Sequence, residues 1–129
     1  MNHRTPREAF EYLAENPDAL LIDCRTEIEY FYVGHPVGAV HIPWHEVPDW
    51  EVNPEFARQV LREAKGKDRP IVLICRSGKR TLDAGRVLEE AGFTEVTNVL
   101  YGFEGDLDEN FHRGTKNGWR FDGLPWEQL

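Results

Sequence analysis

One segment of the sequence has residue types suited to covalent chemistry, because it places a cysteine beside a glycine and three cations. The residues in order are Cys75, Arg76, Ser77, Gly78, Lys79, Arg80 and Thr81. The thiolate is the nucleophilic form of cysteine, and nearby cations and loop amides favour it over the neutral thiol. The same groups favour an anionic ligand. The segment therefore predicts a nucleophilic cysteine beside a small anion site.

The residues that flank this segment predict a strand before it and a helix after it. Ile71–Ile74 is an apolar, mostly β-branched run that follows Pro70, as in a buried parallel strand. Leu82–Ala91 has helical apolar spacing and is closed by Gly92. Cys75 is thus expected at the carboxyl end of a strand, where ligands bind in open α/β sheets, and close to a helix N-terminus that favours an anion.

Strands and helices alternate along the rest of the chain. Thr5-Pro6-Arg7-Glu8 has the N-cap, proline and glutamate of a helix start with a capping box. Another helix is predicted from Asn53 to Lys65-Gly66, with Gly66 in the left-handed cap. Further strands are predicted at 19–23, 39–42 and 95–100. This alternation predicts an α/β fold with three α/β/α layers, a mostly parallel central sheet and helices on both of its faces.

The segment after the first of these strands is rich in aromatic residues and histidines. Thr26–Tyr32 is predicted to form a helical turn that packs Ile28 and two aromatic rings. Three histidines, His35, His41 and His45, follow this turn. No carboxylate or cysteine completes a recognised metal-ligand spacing with them. We expect these histidines to brace the loop rather than to bind a metal.

Four motifs, in order from about residue 5 to about residue 110, resemble those of the rhodanese (sulfurtransferase) family. Cys75–Thr81 is similar to the active-site loop of that family, C-x-x-G-x-R-[ST]. Asp23-Cys24-Arg25 is similar to its D-x-R motif, and Gly34–Pro43 to G-H-I-x-G-A-x-x-I-P. Gly92–Gly102 is similar to G-F-x-x-V-x-x-L-x-G-G. Each motif alone is a weak signal, whereas four in family order are highly specific.

The resemblance implies a sulfurtransferase. Cys75 would take sulfane sulfur from a small anionic donor, thiosulfate or a persulfide, and hold it as a persulfide for cyanide or a thiol, including a thiol on a protein. Asp23 and Arg25 would shape the floor beside the loop. No cofactor or metal is implied. The rest of the loop would bind the donor and stabilise the persulfide, through Arg76, Ser77, Gly78, Lys79, Arg80 and Thr81.

Other functions of cysteine loops or of this fold fit the sequence less well or stay open. Protein phosphatases place five residues between cysteine and arginine, whereas four separate Cys75 from Arg80, and Thr81 occupies the phosphatase arginine position. The loop length therefore argues against a phosphatase or an arsenate reductase. A binding or sensing module of this family commonly lacks the cysteine. A relay that passes sulfur to a protein acceptor stays open.

The C-terminal residues depart from a minimal family domain. Phe103 stands where the family usually has a second glycine, and Leu107 where a tryptophan is common. Residues 114–126, with two tryptophans among glycines, resemble the N-G-W…G-L-P-W ending of many single-domain bacterial and plastid rhodaneses. We predict a rhodanese-like domain at 1–110 and an aromatic tail at 111–129 packed on that domain. A partner-docking tail is the alternative.

Composition restricts the partners and the compartment. The formal net charge of −8 argues against nucleic acid or an anionic membrane as a partner. Two cysteines are too few for a disulfide framework, and an unpaired reactive thiol fits a reducing compartment. With no apolar run typical of a signal peptide, the sequence predicts a cytoplasmic protein.

Cys24 is expected to be a small buried apolar residue, and the alternative is a thiol that resolves oxidised Cys75.

Overall fold

The computed structural model describes Met1–Leu129 and consists of short strands and three α-helices. The strands are β1 (Asn2–Arg4), β2 (Leu20–Asp23), β3 (His35–Pro36), β4 (Val40–His41), β5 (Ile71–Ile74), β6 (Val96–Val99) and β7 (Trp126–Glu127). The helices are α1 (Pro6–Glu15), α2 (Phe56–Ala64) and α3 (Arg80–Glu90), with a π-helical turn at Glu29–Val33. None of the helices has the length and apolar character that crossing a bilayer requires.

Five strands form a parallel sheet in the order β1-β6-β5-β2-β4. Strand β5 is central and fully buried, with Ile71 in register with Leu20 on one side and Val96 on the other. Strands β3 and β7 form a separate antiparallel pair. Because β5 lies at the centre, the cysteine that follows it is held between elements on both faces of the sheet.

Alternate residues of β5 divide the core into two layers. Ile71 and Leu73 pack in one cluster with residues of α2 and α3, including Val60 and Leu88. Val72 and Ile74 face the opposite side, where Ala9 of α1 and residues of the C-terminal tail cover the sheet. This period of two is the geometry of a strand buried on both faces. The predicted three-layer α/β/α architecture is confirmed.

The predicted helix ends are confirmed at some positions and wrong at others. Thr5 caps α1, with the predicted capping box to Glu8. The left-handed residue after α2 is Lys65, with φ of 65°, and not Gly66 as predicted.

The turn after β2 forms as expected, but Ile28 is 64% exposed and packs against no core cluster. The expectation that Ile28 is buried is therefore wrong.

Three strands lie outside the sequence-based prediction. Strand β1 is an edge strand of polar residues, Asn2-His3-Arg4, which lacks the apolar pattern by which strands are recognised. Its register places His3 beside Asn98 of β6. Strands β3 and β7 have two residues each and pair residues about ninety positions apart in the chain. Such pairing has no local signal.

The C-terminal tail packs on the α1 side of the sheet through Trp119. This indole is 1% exposed and packs edge-on against Phe10 of α1 at 5.9 Å between ring centroids. Its Nε1 donates to the Pro125 carbonyl at 2.9 Å, so the buried N–H is satisfied. Leu124 completes this contact in the same core cluster.

We expect Trp119→Ala to lower the free energy of unfolding by about 3–5 kcal/mol, because it leaves a large cavity beside the sheet. Phe111→Ala, in the same tail but 81% exposed, is the matched control and should change it by less than about 0.5 kcal/mol. Urea denaturation followed by circular dichroism measures both. Equal effects of the two substitutions would mean that Trp119 is not a core residue.

Candidate active site

Cys75 lies immediately after β5, 1% exposed, where the chain leaves the carboxyl edge of the sheet. The Gly78 amide donates to its Sγ at 3.2 Å, and the Thr81 hydroxyl lies 3.5 Å from the same sulfur. Thr81 is fully buried in the first turn of α3. The sulfur therefore receives a backbone hydrogen bond from its loop and lies at the N-terminus of α3, both of which favour negative charge there. The Thr81 hydroxyl itself donates to Asn98 Oδ1.

The loop requires glycine at position 78. Gly78 has φ of +90°, in the region that favours glycine, and a Cβ at this position would lie 3.1 Å from the Tyr101 nitrogen and 3.2 Å from the Val99 carbonyl oxygen. The loop therefore turns tightly against the chain that follows β6. This contact brings the Gly78 amide to the sulfur.

The outward carbonyls of the loop are bonded by the segment 102–105. The Phe103 amide donates to the Cys75 carbonyl at 2.7 Å. The amides of Glu104 and Gly105 donate to the Arg76 carbonyl at 2.9 and 3.2 Å. A Cβ on Gly102, which has φ of +61°, would collide with the Cys75 carbonyl oxygen. Gly102, in the glycine motif that ends after β6, is thus required for close packing of this segment against the Cys75 loop.

The guanidinium of Arg80 is paired with Glu29 from the π-helical turn. Its two terminal nitrogens donate to the two Glu29 carboxylate oxygens at 2.8 Å each. The Thr26 amide and hydroxyl donate to the same carboxylate at 3.1 and 2.9 Å. Burial alone would raise the pKa of Glu29, but the hydrogen bonds and charge of Arg80, with those from Thr26, outweigh it and lower the pKa to about 2.

Asp23 and Arg25 form a fully buried ion pair. Arg25 Nε donates to Asp23 Oδ1 at 2.9 Å and Nη2 donates to Oδ2 at 2.7 Å. Nη2 also donates to the Gly34 carbonyl, and the guanidinium lies 4.5 Å from the centre of the Phe103 ring. Burial alone would lower the pKa of Arg25, but its hydrogen bonds to Asp23 raise it overall. The pair thus supports Phe103, and through Phe103 the carbonyl of Cys75.

An open cleft of about 610 Å³ lies beside the loop. Cys75 does not line it, whereas Arg76 and Arg80 do. Arg76 forms no salt bridge or side-chain hydrogen bond within the protein, and Arg113 donates only to the Gly105 carbonyl, at 2.7 Å. The complete lining is Thr26, Glu29, His45, Trp50, Arg76, Arg80, Glu104 and Arg113. The cleft therefore presents two guanidinium groups, Arg76 and Arg113, that form no salt bridge, together with the carboxylates of Glu29 and Glu104.

The remaining loop residues lie on the other side of the loop. Ser77 and Lys79 line a second cleft of about 340 Å³, together with His3 and Tyr101. The loop residues predicted from the sequence thus lie together, but Arg76 and Arg80 line one cleft, the segment 77–79 lines the other, and the buried Cys75 and Thr81 line neither. Trp50, Glu104 and Arg113 were missed, because no spacing in the sequence connects them to Cys75.

The histidines near the loop form structural contacts. His35 Nδ1 is 2.7 Å from the Tyr30 carbonyl and His41 Nε2 is 2.7 Å from the Arg25 carbonyl. The Tyr30 ring is stacked on both imidazoles, at 3.8 and 4.6 Å between centroids. The prediction that histidines brace the loop is confirmed for His35 and His41.

Cys24 lies beside Cys75 at the ends of neighbouring strands. Asp23 and Ile74 are paired in the sheet, and the Cys24 amide continues that ladder to the Ile74 carbonyl at 3.0 Å. The Cys24 thiol is fully buried and donates to the same carbonyl at 3.4 Å. Burial, followed by the nearby Cys75 and Asp23, raises the pKa of Cys24 well above its ordinary value. This environment favours an inert thiol.

Comparisons with known proteins agree with this geometry. A model of the rhodanese-like domain matches residues 5–109. Thiosulfate sulfurtransferase 16, chloroplastic, of Arabidopsis thaliana is 31% identical over 106 residues, 81% of this chain and 76% of the relative. An uncharacterized Rickettsia conorii protein, RC0915, is 29% identical over 124 residues, 93% of this chain and 92% of the relative. The crystal structure of Rv0390 from M. tuberculosis has a TM-score of 0.88 and 41% identity, covering 100% of this chain and 98% of that one.

The Glu29–Arg80 pair predicts a pH-dependent stability. Because folding lowers the pKa of Glu29 from 4.5 to about 2, its contribution is complete above pH 4.5 and is lost as the pH falls towards 2. We expect Glu29→Gln to lower the free energy of unfolding at neutral pH by about 1–3 kcal/mol, allowing for partial solvent screening. The difference from wild type should shrink below pH 4.5.

Urea denaturation on both sides of that pH measures the difference. Glu27→Gln, an exposed carboxylate two positions away, is the matched control and should have little effect. A wild-type advantage over Glu29→Gln that stays constant down to pH 2 would contradict a carboxylate held ionised by Arg80.

Proposed function

The chain belongs to the rhodanese-like domain family, and we propose that it is a thiosulfate-type sulfurtransferase that carries sulfane sulfur as a persulfide on Cys75. The observation that supports this most directly is the environment of the Cys75 sulfur. It receives an amide hydrogen bond from Gly78 and lies at the N-terminus of α3, beside a cleft with unpaired arginines. A sulfur in this position is stabilised as an anion both before and after it accepts a second sulfur.

The reaction is a double displacement with a covalent intermediate. The Cys75 thiolate attacks the sulfane sulfur of thiosulfate, so that a new sulfur–sulfur bond forms. The sulfur–sulfur bond of thiosulfate breaks, and sulfite leaves with the bonding electron pair. Cyanide then attacks the outer sulfur of the persulfide, thiocyanate leaves, and the Cys75 thiolate is regenerated. No net oxidation or reduction occurs over the cycle, and a thiol acceptor would receive the outer sulfur in the same way.

Different residues bind the donor, hold the loop in place and stabilise the sulfur. Arg76 and Arg113 face the cleft without a carboxylate partner, so they bind the anionic donor and stabilise the departing sulfite. Arg80, held by Glu29, keeps the loop in place and contributes less free charge to the donor. The Gly78 amide donates to the sulfur and would stabilise the persulfide that forms on it. The donor and acceptor belong to this proposal, with thiosulfate or a persulfide on one side and cyanide or a thiol on the other.

Steady-state formation of thiocyanate from thiosulfate and cyanide tests the proposal. We expect parallel lines in double-reciprocal plots, as for a double displacement, and complete loss of activity in Cys75→Ser. Cys24→Ser is the matched control, because Cys24 is buried and bonded to a carbonyl, and it should keep activity within about twofold.

Three outcomes would contradict the proposal. Full activity in Cys75→Ser would remove the persulfide mechanism. Absence of turnover with thiosulfate and with small persulfide donors alike would favour a binding or sensing module. Persulfide formation without transfer to cyanide or to small thiols would instead favour a relay to a protein acceptor.

The unpaired arginines predict an effect on donor binding. We expect Arg76→Gln and Arg113→Gln each to raise the KM for thiosulfate by about three- to tenfold and to weaken its dependence on ionic strength. Arg58→Gln is the matched control, because Arg58 is exposed on α2 and pairs with Glu55. Initial rates at several salt concentrations measure this, and an unchanged KM in Arg113→Gln would remove the tail from the donor site.

A further inference from the structure

Side chains link the active-site sulfur to a histidine on the edge strand. The Thr81 hydroxyl lies 3.5 Å from Cys75 Sγ and donates to Asn98 Oδ1 on β6. Asn98 Nδ2 is in turn 3.2 Å from Nδ1 of His3 on β1. Thr81 and Asn98 are 0% and 1% exposed, whereas His3 is exposed. The chain of contacts therefore runs from a buried sulfur to a solvent-accessible imidazole.

The direction of these hydrogen bonds is determined by whether Nδ1 of His3 carries a hydrogen. A neutral His3 with its proton on Nε2, the tautomer assigned here because Asn98 Nδ2 faces Nδ1, offers an unprotonated Nδ1 that accepts from the Asn98 amide NH₂. The Asn98 carbonyl oxygen then faces Thr81 and accepts its hydroxyl proton. A hydroxyl has a single proton, so Thr81 has none left for Cys75. In this state the Thr81 hydroxyl can accept a hydrogen bond from the Cys75 thiol but cannot donate one to the Cys75 thiolate.

Protonation of His3 reverses the chain. Nδ1 then carries a hydrogen and requires an acceptor, which Asn98 supplies when its amide group rotates by half a turn. The Asn98 NH₂ group then faces Thr81 and donates to the hydroxyl oxygen, because buried polar groups keep their partners. The Thr81 proton is free to point at Cys75. No proton moves along the chain, since only the amide and the hydroxyl rotate.

We propose that His3 is a positioning residue for the active site, which through Asn98 and Thr81 decides whether Cys75 Sγ receives a hydroxyl hydrogen bond. A hydrogen bond to an anionic sulfur is of the stronger, charge-assisted kind. Protonated His3 therefore stabilises the thiolate and, on the function proposed above, the persulfide anion. Neutral His3 withdraws that support. The sulfur thus gains a donor as the pH falls through the range in which histidine titrates.

Three other ionisable residues share a cleft with His3. They are Lys79, which precedes α3, Tyr101 and Asp106. None of these residue types ordinarily changes charge between pH 5 and 8, whereas histidine does. The N-terminal ammonium pairs with Glu89 of α3 at 2.8 Å.

The pH dependence of Cys75 alkylation by iodoacetamide, followed by intact mass, tests this proposal. We expect the ratio of the wild-type rate to the His3→Leu rate to be about three- to tenfold higher near pH 5.5 than near pH 8.5. A purely structural role of His3 would change the rate by the same factor at every pH. The Asn98 side-chain amide resonances in NMR supply a second measurement that needs no reagent, and they should shift between pH 5 and 8 in wild type but not in His3→Leu.

The Thr81→Val background separates the hydrogen-bond chain from simple charge. In that background His3→Leu should change the alkylation rate by the same factor at both pH values. A ratio that stays pH-dependent without the Thr81 hydroxyl, or an equal ratio at both pH values in the Thr81 protein, would overturn the proposal. The proposal would also be overturned if the chemical shifts of the Asn98 side-chain amide did not change between pH 5 and 8 in wild type. Because alkylation requires no sulfur donor, this test gives its answer even if sulfur transfer fails.

Discussion

The hydrogen bonds from the 102–105 segment to the carbonyls of Cys75 and Arg76 are the constraint on which the site depends. A loop that turns an amide inward to an anion must turn carbonyls outward, and buried carbonyls require donors. The Phe103 and Glu104 amides supply them. The tail in turn holds this segment, because the Trp119 amide donates to the Gly102 carbonyl at 2.9 Å. The aromatic tail is thus connected to the Cys75 loop through two successive sets of backbone hydrogen bonds.

The charges of the loop have separate uses. Of its three cations, Arg80 is paired with Glu29, so its charge stabilises the fold of the loop rather than a ligand. Arg76 keeps its charge for the cleft, and Arg113 adds a second guanidinium from the tail, beyond the residues that the family model matches. In a protein with a net charge of −8, these guanidinium groups form a local cationic patch, at which an anionic donor would bind on the proposed function.

The sequence predicted those parts of the site that are continuous in the chain. The β5 strand, the Cys75 loop and helix α3 are adjacent, and their apolar spacing and glycines are local signals. The three-layer architecture followed from the alternation of strands and helices. Arg113 and strand β1 could not be predicted, because their roles depend on long-range packing of polar residues. The left-handed position fell on Lys65 rather than Gly66 because α2 ends one residue earlier than the glycine suggested.

The proposed function requires that the Cys75 sulfur accepts and keeps one sulfur atom. The most direct measurement is the intact mass of the protein after incubation with thiosulfate and removal of the excess donor. We predict a gain of one sulfur atom that dithiothreitol reverses, that Cys75→Ala lacks and that Cys24→Ala retains. No gain with thiosulfate or with a small persulfide donor, or a gain that persists in Cys75→Ala, would contradict it.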